Sequence, residues 1–352
     1  MEERKKRRPP VRNRNGGASI VVRVGPLTHI PALLRRLGAD PDAVFDGAGL
    51  KPAEFADPDN EVPYVAASRL LKCCLTATGC EHFGLLVGIR ASPSILGLAG
   101  FMLSSAPDVG TALRDLAQNL DLHDQGGIPT LHVKDGVSAL GYAIGQPGAQ
   151  AADQIYDLAI AIACNIMRTL CGEKWNPTEV LLARRSPRDL APYRRFFRAP
   201  LHFNAGQSAL TFPSHWMSHK LVSADPLLHR HLENEARTLH AGRKVGIVED
   251  MRRLLCKRLV GRSCTVDDVA RELHVHRRTL SRRLQEQGTS FRQELDTVRL
   301  AMAQRLLAES RMSIARIATL LDYADGAAFS RAFKRWTGLP PAQWRTHNDW
   351  SE

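Results

Sequence analysis

Between Thr265 and Arg345 one pattern occurs twice, and it restricts what this stretch can fold into more than any other feature of the chain. A short helix with an apolar face is followed by a tight turn and a second helix with arginines along one side. In the first copy, Thr265 and Asp268 stand at the reciprocal positions of a helix-start cap. Val266, Val269, Ala270 and Leu273 then recur at the spacing of one helical face. The next helix is expected over 276–287, with Leu280 and Leu284 inward and Arg277, Arg278, Ser281, Arg282 and Arg283 outward. A long helix over 291–308, apolar at Leu295, Val298, Met302 and Leu306, leads to the second copy. There Ser313 opens a helix buried through Ile314, Ile317, Ala318 and Leu321. A further helix over 326–336 turns Phe329 and Phe333 inward and Ala327, Ser330, Arg331, Lys334 and Arg335 outward. Gly338, Pro340 and Pro341 stop it.

Two helix-turn-helix units joined by one helix suit a double reader of the DNA major groove. An arginine on such a face can bond a guanine edge bidentately while its neighbours hold phosphates. Double-stranded DNA rather than RNA is the expected partner, because the B-form major groove admits a helix. Trp336, Trp344 and Phe329 read as core packing rather than as a base-stacking platform. The charge fits this reading. The net +12 sits at the two ends: residues 1–25 hold 8 Lys/Arg against 2 Asp/Glu, and residues 239–352 hold 21 against 13. The middle, 26–238, is slightly acidic with 19 against 21. A near-neutral module joined to a basic one is the distribution expected of a regulator with a separate polyanion-binding end.

Upstream, residues 1–25 read as a basic disordered tail: a charge run with two prolines and a Gly-Gly. Residues 26–238 read as an α+β domain, helices plus a small and mainly antiparallel sheet. One helix closes at Gly38 and the next opens at Asp40-Pro41, a proline position that loses no helical hydrogen bond. Helices follow over 64–78, ended by Gly79, and over 81–90. Two more are broken at Pro107, with Gly97, Ala99 and Gly100 expected to admit a close helix neighbour. Asp135-Gly136 between alternating apolar runs signals a hairpin. A long apolar helix over 149–170 ends at Gly172. A strand over 179–183, a helix over 189–197 and two strands flanking Asn204-Ala205-Gly206 complete the pattern. Residues 239–246, with Gly242 and Gly246, are the expected linker, and 247–352 the all-α DNA-binding domain.

At this point the chain resembles a family. Arg305-Leu306-Leu307, Ile317-Ala318, Tyr323 and FSRAFKRWTGLPPAQWR at 329–345 are similar to the DNA-binding domain of the AraC/XylS transcription regulators. The segments ILGLAGFMLSSAPDVGTALRDL, the hairpin and YRRFFRAPLHFNAGQSALTFP resemble the so-called arabinose-binding domain of one branch, which includes regulators of ornithine and arginine use and of virulence. That label does not make arabinose the ligand. The resemblance implies that Arg278, Ser281 and Arg282 of the first reading helix, and Ala327, Ser330 and Arg331 of the second, face bases. The two helices would then enter successive major grooves about 34 Å apart. It further implies an activator. A small-molecule effector bound to the N-terminal domain, RNA polymerase and, because paired half-sites raise affinity, a homodimer through the sensor are the other expected partners. Three residues depart from the family pattern. His274 stands at the usual glycine of the first turn, and Asp322 at that of the second. His276 replaces a serine cap whose loss costs about 1 kcal/mol.

Competing readings were weighed against these residues. A catalytic N-terminal half on a DNA-targeting module would need a nucleophile–base pair or a metal set. Cys80 beside His82 follows a helix rather than a strand elbow. Cys164 and Cys171 lie on an apolar helix and read as core. His123-Asp124 reads as a surface loop pair. His215 and His219 could share a helical face, but without a third ligand, and His229 and His231 cannot. No enzyme, metal or cofactor is therefore expected. A ligand-independent architectural protein would not need so large a second domain. The seven cysteines, odd in number and without CxxC, fit reduced thiols. Without a secretory signal or an 18-residue apolar run, a cytoplasmic and membrane-free location is expected.

Overall fold

The computed structural model describes residues 20–242, 246–259 and 264–349. Strand β1 (Val21–Arg23) precedes helices α1 (Ile30–Arg36) and α2 (Pro41–Ala48), then β2 (Glu61–Pro63) and α3 (Tyr64–Thr78). Helices α4 (Phe83–Gly88), α5 (Leu98–Ser105) and α6 (Val109–Asn119) lead into the hairpin β3 (Gly127–Lys134) and β4 (Val137–Ile144). Helix α7 (Ala152–Cys171), β5 (Glu179–Leu182), α8 (Ala191–Phe197), β6 (Leu201–Phe203) and β7 (Ser208–Pro213) follow, and α9 (Pro226–Gly242) leaves the sheet. The C-terminal part is helical throughout: α10 (Ile247–Leu259), α11 (Val266–Glu272), α12 (Arg277–Glu286), α13 (Phe291–Glu309), α14 (Ile314–Leu320), α15 (Gly326–Thr337) and α16 (Pro341–Asp349).

Local signals act as the sequence implies. The Asp40 side chain accepts from the Asp42 amide at 3.2 Å, with Pro41 behind it. Gly79 closes α3 in the left-handed region. Asp135 and Gly136 both take positive φ, 50° and 77°, the paired requirement of a type I′ hairpin turn. The sheet order is β3-β4-β7-β5-β6. Its pairs are antiparallel except β5 with β6, which α8 connects as a crossover. The strands on either side of Asn204 therefore do not pair with each other; β5 lies between them.

Three boundaries differ from expectation. Of the proposed tail 1–25, residues 1–19 lie outside the described residues, but Val21–Arg23 pairs with β2 and Val24 is fully buried. The valines there outweigh the neighbouring charge. Of the proposed linker 239–246, residues 239–242 continue α9, because Leu232 and Ala236 anchor that helix on the sensor core, and residues 243–245 are not described. Helix α4 is shorter than 81–90. Close backbone approach, expected at Gly97, Ala99 and Gly100, occurs at Gly100 and also at two glycines of α4. A Cβ on Gly84 would lie 2.0 Å from the Gln154 carbonyl oxygen, and one on Gly88 would lie 2.6 Å from that of Leu158, so α4 and α7 pack backbone to backbone there. A Cβ on Gly100 would lie 2.1 Å from the Pro93 carbonyl oxygen, so a short 3-10 helix over Pro93–Leu96 approaches α5 there as expected.

Helix α7 is the centre of the N-terminal domain. Its Ile160, Ala161, Cys164 and Met167 are buried, and its polar residues serve both ends of α4. Gln154 accepts from the Gly84 amide and donates to the Glu81 carbonyl, while Asn165 donates to the carbonyls of Gly88, Ile89 and Ala91. Those end groups would otherwise be buried without partners. Beside it, Asp157 takes hydrogen bonds from Arg184 and Tyr193 in a fully buried cluster. The C-terminal domain has two cores. One joins α10, α11, α12 and Val298 of α13; the other joins Leu306 and Leu307 with Ile317, Phe329 and Phe333.

Candidate DNA-reading face and sensor cavity

The first reading helix starts where the sequence places it. Thr265 and Asp268 form the reciprocal cap of α11, and Leu280 and Leu284 of α12 are buried. His274 sits in the turn at φ 52°, the conformation that a glycine would adopt at lower cost. His276 has the extended geometry of a cap residue but makes no capping hydrogen bond. In the second unit Asp322 takes the same role at φ 60°. Arg299 of α13 steadies that turn, bonding to Asp322 and lying over the Tyr323 ring at 4.8 Å. Asp325, which the sequence reading passed over, caps α15 by accepting from the Ala328 amide at 2.6 Å. Its position three residues before that amide was the available signal.

Arg277, Arg278, Ser281, Arg282 and Arg283 are exposed along α12; Ala327, Arg331, Lys334 and Arg335 are exposed on α15 and Ser330 is half-buried. The residues are not equivalent. Arg277 pairs with Asp267 at 3.4 Å, Arg282 with Glu286 at 3.7 Å, and Arg335 with Asp296 at 3.4 Å. Arg278, Arg283, Arg331 and Lys334 have no ion-pair partner among the described residues. Ser330 donates to the Gly326 carbonyl of its own helix.

The N-terminal domain encloses a second site, which sequence reasoning missed. A cavity of about 110 Å³ lies among β1, α3, α6, the hairpin and α7, walled by residues such as Leu116, Leu140, Ile155 and Ile162. His123 and Asp124, expected in a surface loop, line it and are only 4% and 8% exposed. A short connection after α6 is pinned from both sides: the Arg23 amide bonds to the His123 carbonyl, and the Gln125 amide to the Val21 carbonyl. Pairing across strand β1 cannot be read from residue type, which is why the burial was not legible. Asp124 accepts from the Gly126 and Gly127 amides at 2.9 Å and from the Tyr142 hydroxyl at 2.7 Å. The Tyr64 and Tyr142 hydroxyls lie 3.1 Å apart. Burial pushes the Asp124 carboxyl up, the Tyr142 hydroxyl bond and the two amides opposing, and holds the His123 imidazole down to about 3, with Arg23 adding to the effect.

The two sites are connected through the domain contact. Arg305 of α13 donates to the carbonyls of Ile144, the last residue of β4, and Gln146 just beyond it. Glu309 accepts from the Ala152 amide at the start of α7. Arg253 of α10 donates to the Gln125 carbonyl at 2.8 Å and pairs with Asp121 at 3.2 Å. Ile128 of β3 is buried in the same cluster as α10. Tyr142 lines both the sensor cavity and a smaller one of about 40 Å³ between the domains, where Arg305, Met302 and Leu306 form the opposite wall.

Other candidates resolve differently. His215 and His219 do not share a helical face: they flank the Trp216 ring in a 3-10 turn. Burial pushes the Cys80 thiol up and the His82 imidazole down, opposite to a thiolate–imidazolium pair. His229 joins a group that the sequence could not bring together. It faces Ser105 through Nδ1 at 3.2 Å and Asp115 and Glu233 through Nε2 at 3.2 and 3.6 Å. This cluster clamps α9 onto α5 and α6. No helix among the described residues is long and apolar enough to cross a membrane.

A family profile described as the arabinose-binding domain of AraC transcription regulators, N-terminal, matches residues 38–221, and a helix-turn-helix domain profile matches residues 269–347. The chain is 28% identical over 334 residues to the ornithine utilization regulator of Pseudomonas aeruginosa, covering 91% of this chain and 96% of that protein. It is 25% identical over 321 residues to the transcriptional regulator VirS of Mycobacterium tuberculosis, covering 90% and 93%. The crystal structure of the transcriptional regulator CdpR from Pseudomonas aeruginosa aligns over 89% of this chain and 98% of that one, with 23% identity and a TM-score of 0.41. With the sensor profile spanning more than half of the sequence and the helix-turn-helix profile following it, the chain belongs to the AraC family of DNA-binding transcription regulators.

Proposed function

We propose that α12 and α15 read base edges in successive major grooves, and that a small molecule in the sensor cavity controls them by shifting how α10 and α13 dock on the sheet. Arg278, Ser281 and Arg282 are the base-facing residues of the first helix, and Ala327, Ser330 and Arg331 those of the second. Arg277, Arg283, Lys334 and Arg335 hold phosphates. The observation that carries effector control is the shared wall. Tyr142 borders both cavities, and Gln125, next to Asp124, receives Arg253 from the DNA-binding domain. A ligand that displaces Tyr142 or the 123–125 segment changes the docked state's free energy, which is what shifts a population. The same reading includes recruitment of RNA polymerase, supported by the family, and a homodimer. Sites mapped by chromatin immunoprecipitation provide reporters for the test. Arg253→Ala with Arg305→Ala should bind those sites within about threefold of wild type, a shift of no more than about 0.65 kcal/mol. Its reporter output should no longer vary across growth conditions that change the wild-type output. Wild-type variation in the double variant would refute control through these contacts.

A further inference from the structure

Resting on the reading of the sensor cavity as the effector site, we propose that its ligand is an uncharged, largely apolar small molecule carrying one hydrogen-bonding group, in the class of small alcohols and phenols. The argument starts from the walls. Leu71, Leu116, Leu140, Ile155, Ile162 and Ile166 present only hydrocarbon. An apolar cavity of roughly 150 Å³ holds a benzene-sized guest, so about 110 Å³ sets a similarly small scale.

The bonds that the polar lining already makes disfavour a charged ligand. A buried ion needs a counter-charge with free valence. Arg23 is paired with Asp59. The His123 imidazole is neutral, since burial holds it down. Asp124 takes three donors, from Gly126, Gly127 and Tyr142. Ser68 donates to the Val65 carbonyl and accepts from the Gln150 amide. An amino acid's carboxylate would have to compete with Asp59 for Arg23, and its ammonium would meet on Asp124 one oxygen held by two amides and another held by Tyr142.

One polar opening remains. Tyr142 gives its proton to Asp124, so the neighbouring Tyr64 hydroxyl gives its own to Tyr142. The Tyr64 oxygen is then left as an acceptor on the cavity wall, matched to a ligand O–H. Nearby, His123 Nδ1 is buried with no hydrogen-bond partner among the described residues. A neutral imidazole nitrogen can serve a hydroxyl as donor or acceptor, according to tautomer.

The test uses the full chain and five probes in calorimetric titration and thermal-shift assays: phenol and cyclohexanol as neutral hydroxyl ligands, benzene as the neutral ligand without a hydroxyl, and benzoate and L-ornithine as charged ones. Phenol and cyclohexanol should bind at least tenfold tighter than the charged pair. Ala159→Leu, which fills the cavity, should abolish binding, with Ala163→Val as a milder filler if the first variant fails to fold by circular dichroism. Tyr64→Phe should weaken phenol several-fold while leaving benzene unchanged. If benzoate or L-ornithine binds tighter and Ala159→Leu abolishes it, the ligand class is wrong while the effector site stands. If no probe binds, or binding ignores the cavity-filling variants, the site reading falls and the proposal with it.

Discussion

An arginine's partners within the protein decide what it can still offer to DNA. Arg282 is held only by an exposed i,i+4 contact to Glu286, a type of pair worth a few tenths of a kcal/mol, ~0.3–0.5. Release to a guanine edge therefore costs little. Arg282→Ala should lose about 1–3 kcal/mol of specific binding and relax preference at one base pair, whereas Lys334→Ala should weaken all sequences alike and reduce the salt slope by about 1. Binding titrations on a site and its single-base variants, repeated across salt, separate the two. At the domain contact, burial lifts the Glu309 carboxyl to about 8, with Asp153 adding to the shift and Arg305 opposing it. A carboxyl raised in the folded state stabilises most below its ordinary value of 4.5, and that contribution is lost as pH rises towards 8. Glu309→Gln should remove this decline, so that the variant's melting temperature gains on wild type between those pH values. Parallel melting curves would contradict the assignment. His123 and Asp124 show the limit of residue-level reading. Their types suit a surface loop, and only the backbone bonds to β1 bury them.

Among the elements, turns and caps were the most legible, because each depends on one or two side chains acting on their own backbone. Thr265, Ser313, Asp40, Gly79 and the Asp135-Gly136 turn all behave as their chemistry dictates. His274 and His276 do the work of a glycine and a serine less well. Relieving the left-handed histidine, His274→Gly, should stabilise the first unit by up to ~1 kcal/mol, the difference between the penalty for a side chain there and the entropy that glycine loses. Packing between elements was less legible. Gly84 carries no sequence mark that separates it from Gly97 or Gly100, yet it is the position where α4 meets the α7 backbone. Gly84→Ala should cost about 1–3 kcal/mol, as overpacking does, read as a lower midpoint in urea with unchanged slope. A neutral substitution would mean that α4 shifts freely.

Across the whole molecule, the DNA-binding domain is docked on its sensor mainly through backbone groups, which take Arg253, Arg305 and Glu309, with the Arg253–Asp121 ion pair beside them. Arg305, which belongs to the run resembling the family's DNA-binding domain, points to the sensor in this structure. Phe101, Val222, Leu227 and Leu228 are exposed on or beside α5 and the start of α9. We propose these side chains as the contact of the homodimer included in the proposed function. Leu227→Glu should shift the chain towards monomer in sedimentation velocity at concentrations where wild type is dimeric, with the fold intact by circular dichroism. An unchanged distribution would place the contact elsewhere.

The sequence by itself determined the repeated helix-turn-helix pattern, the arginine faces and the mixed α+β class of the sensor. Those rest on periodicity, capping and turn chemistry within a few residues of one another. Only the tertiary structure decided that residues 123, 124, 64 and 142 meet at one cavity, and that Arg253, Arg305 and Glu309 bind the sensor. These groups lie far apart in the chain. What brings them together is strand pairing and bonds to backbone carbonyls and amides, which every residue type but proline offers and which therefore leave no trace in residue identity; the Tyr64–Tyr142–Asp124 bonds form only once the chain has folded that way.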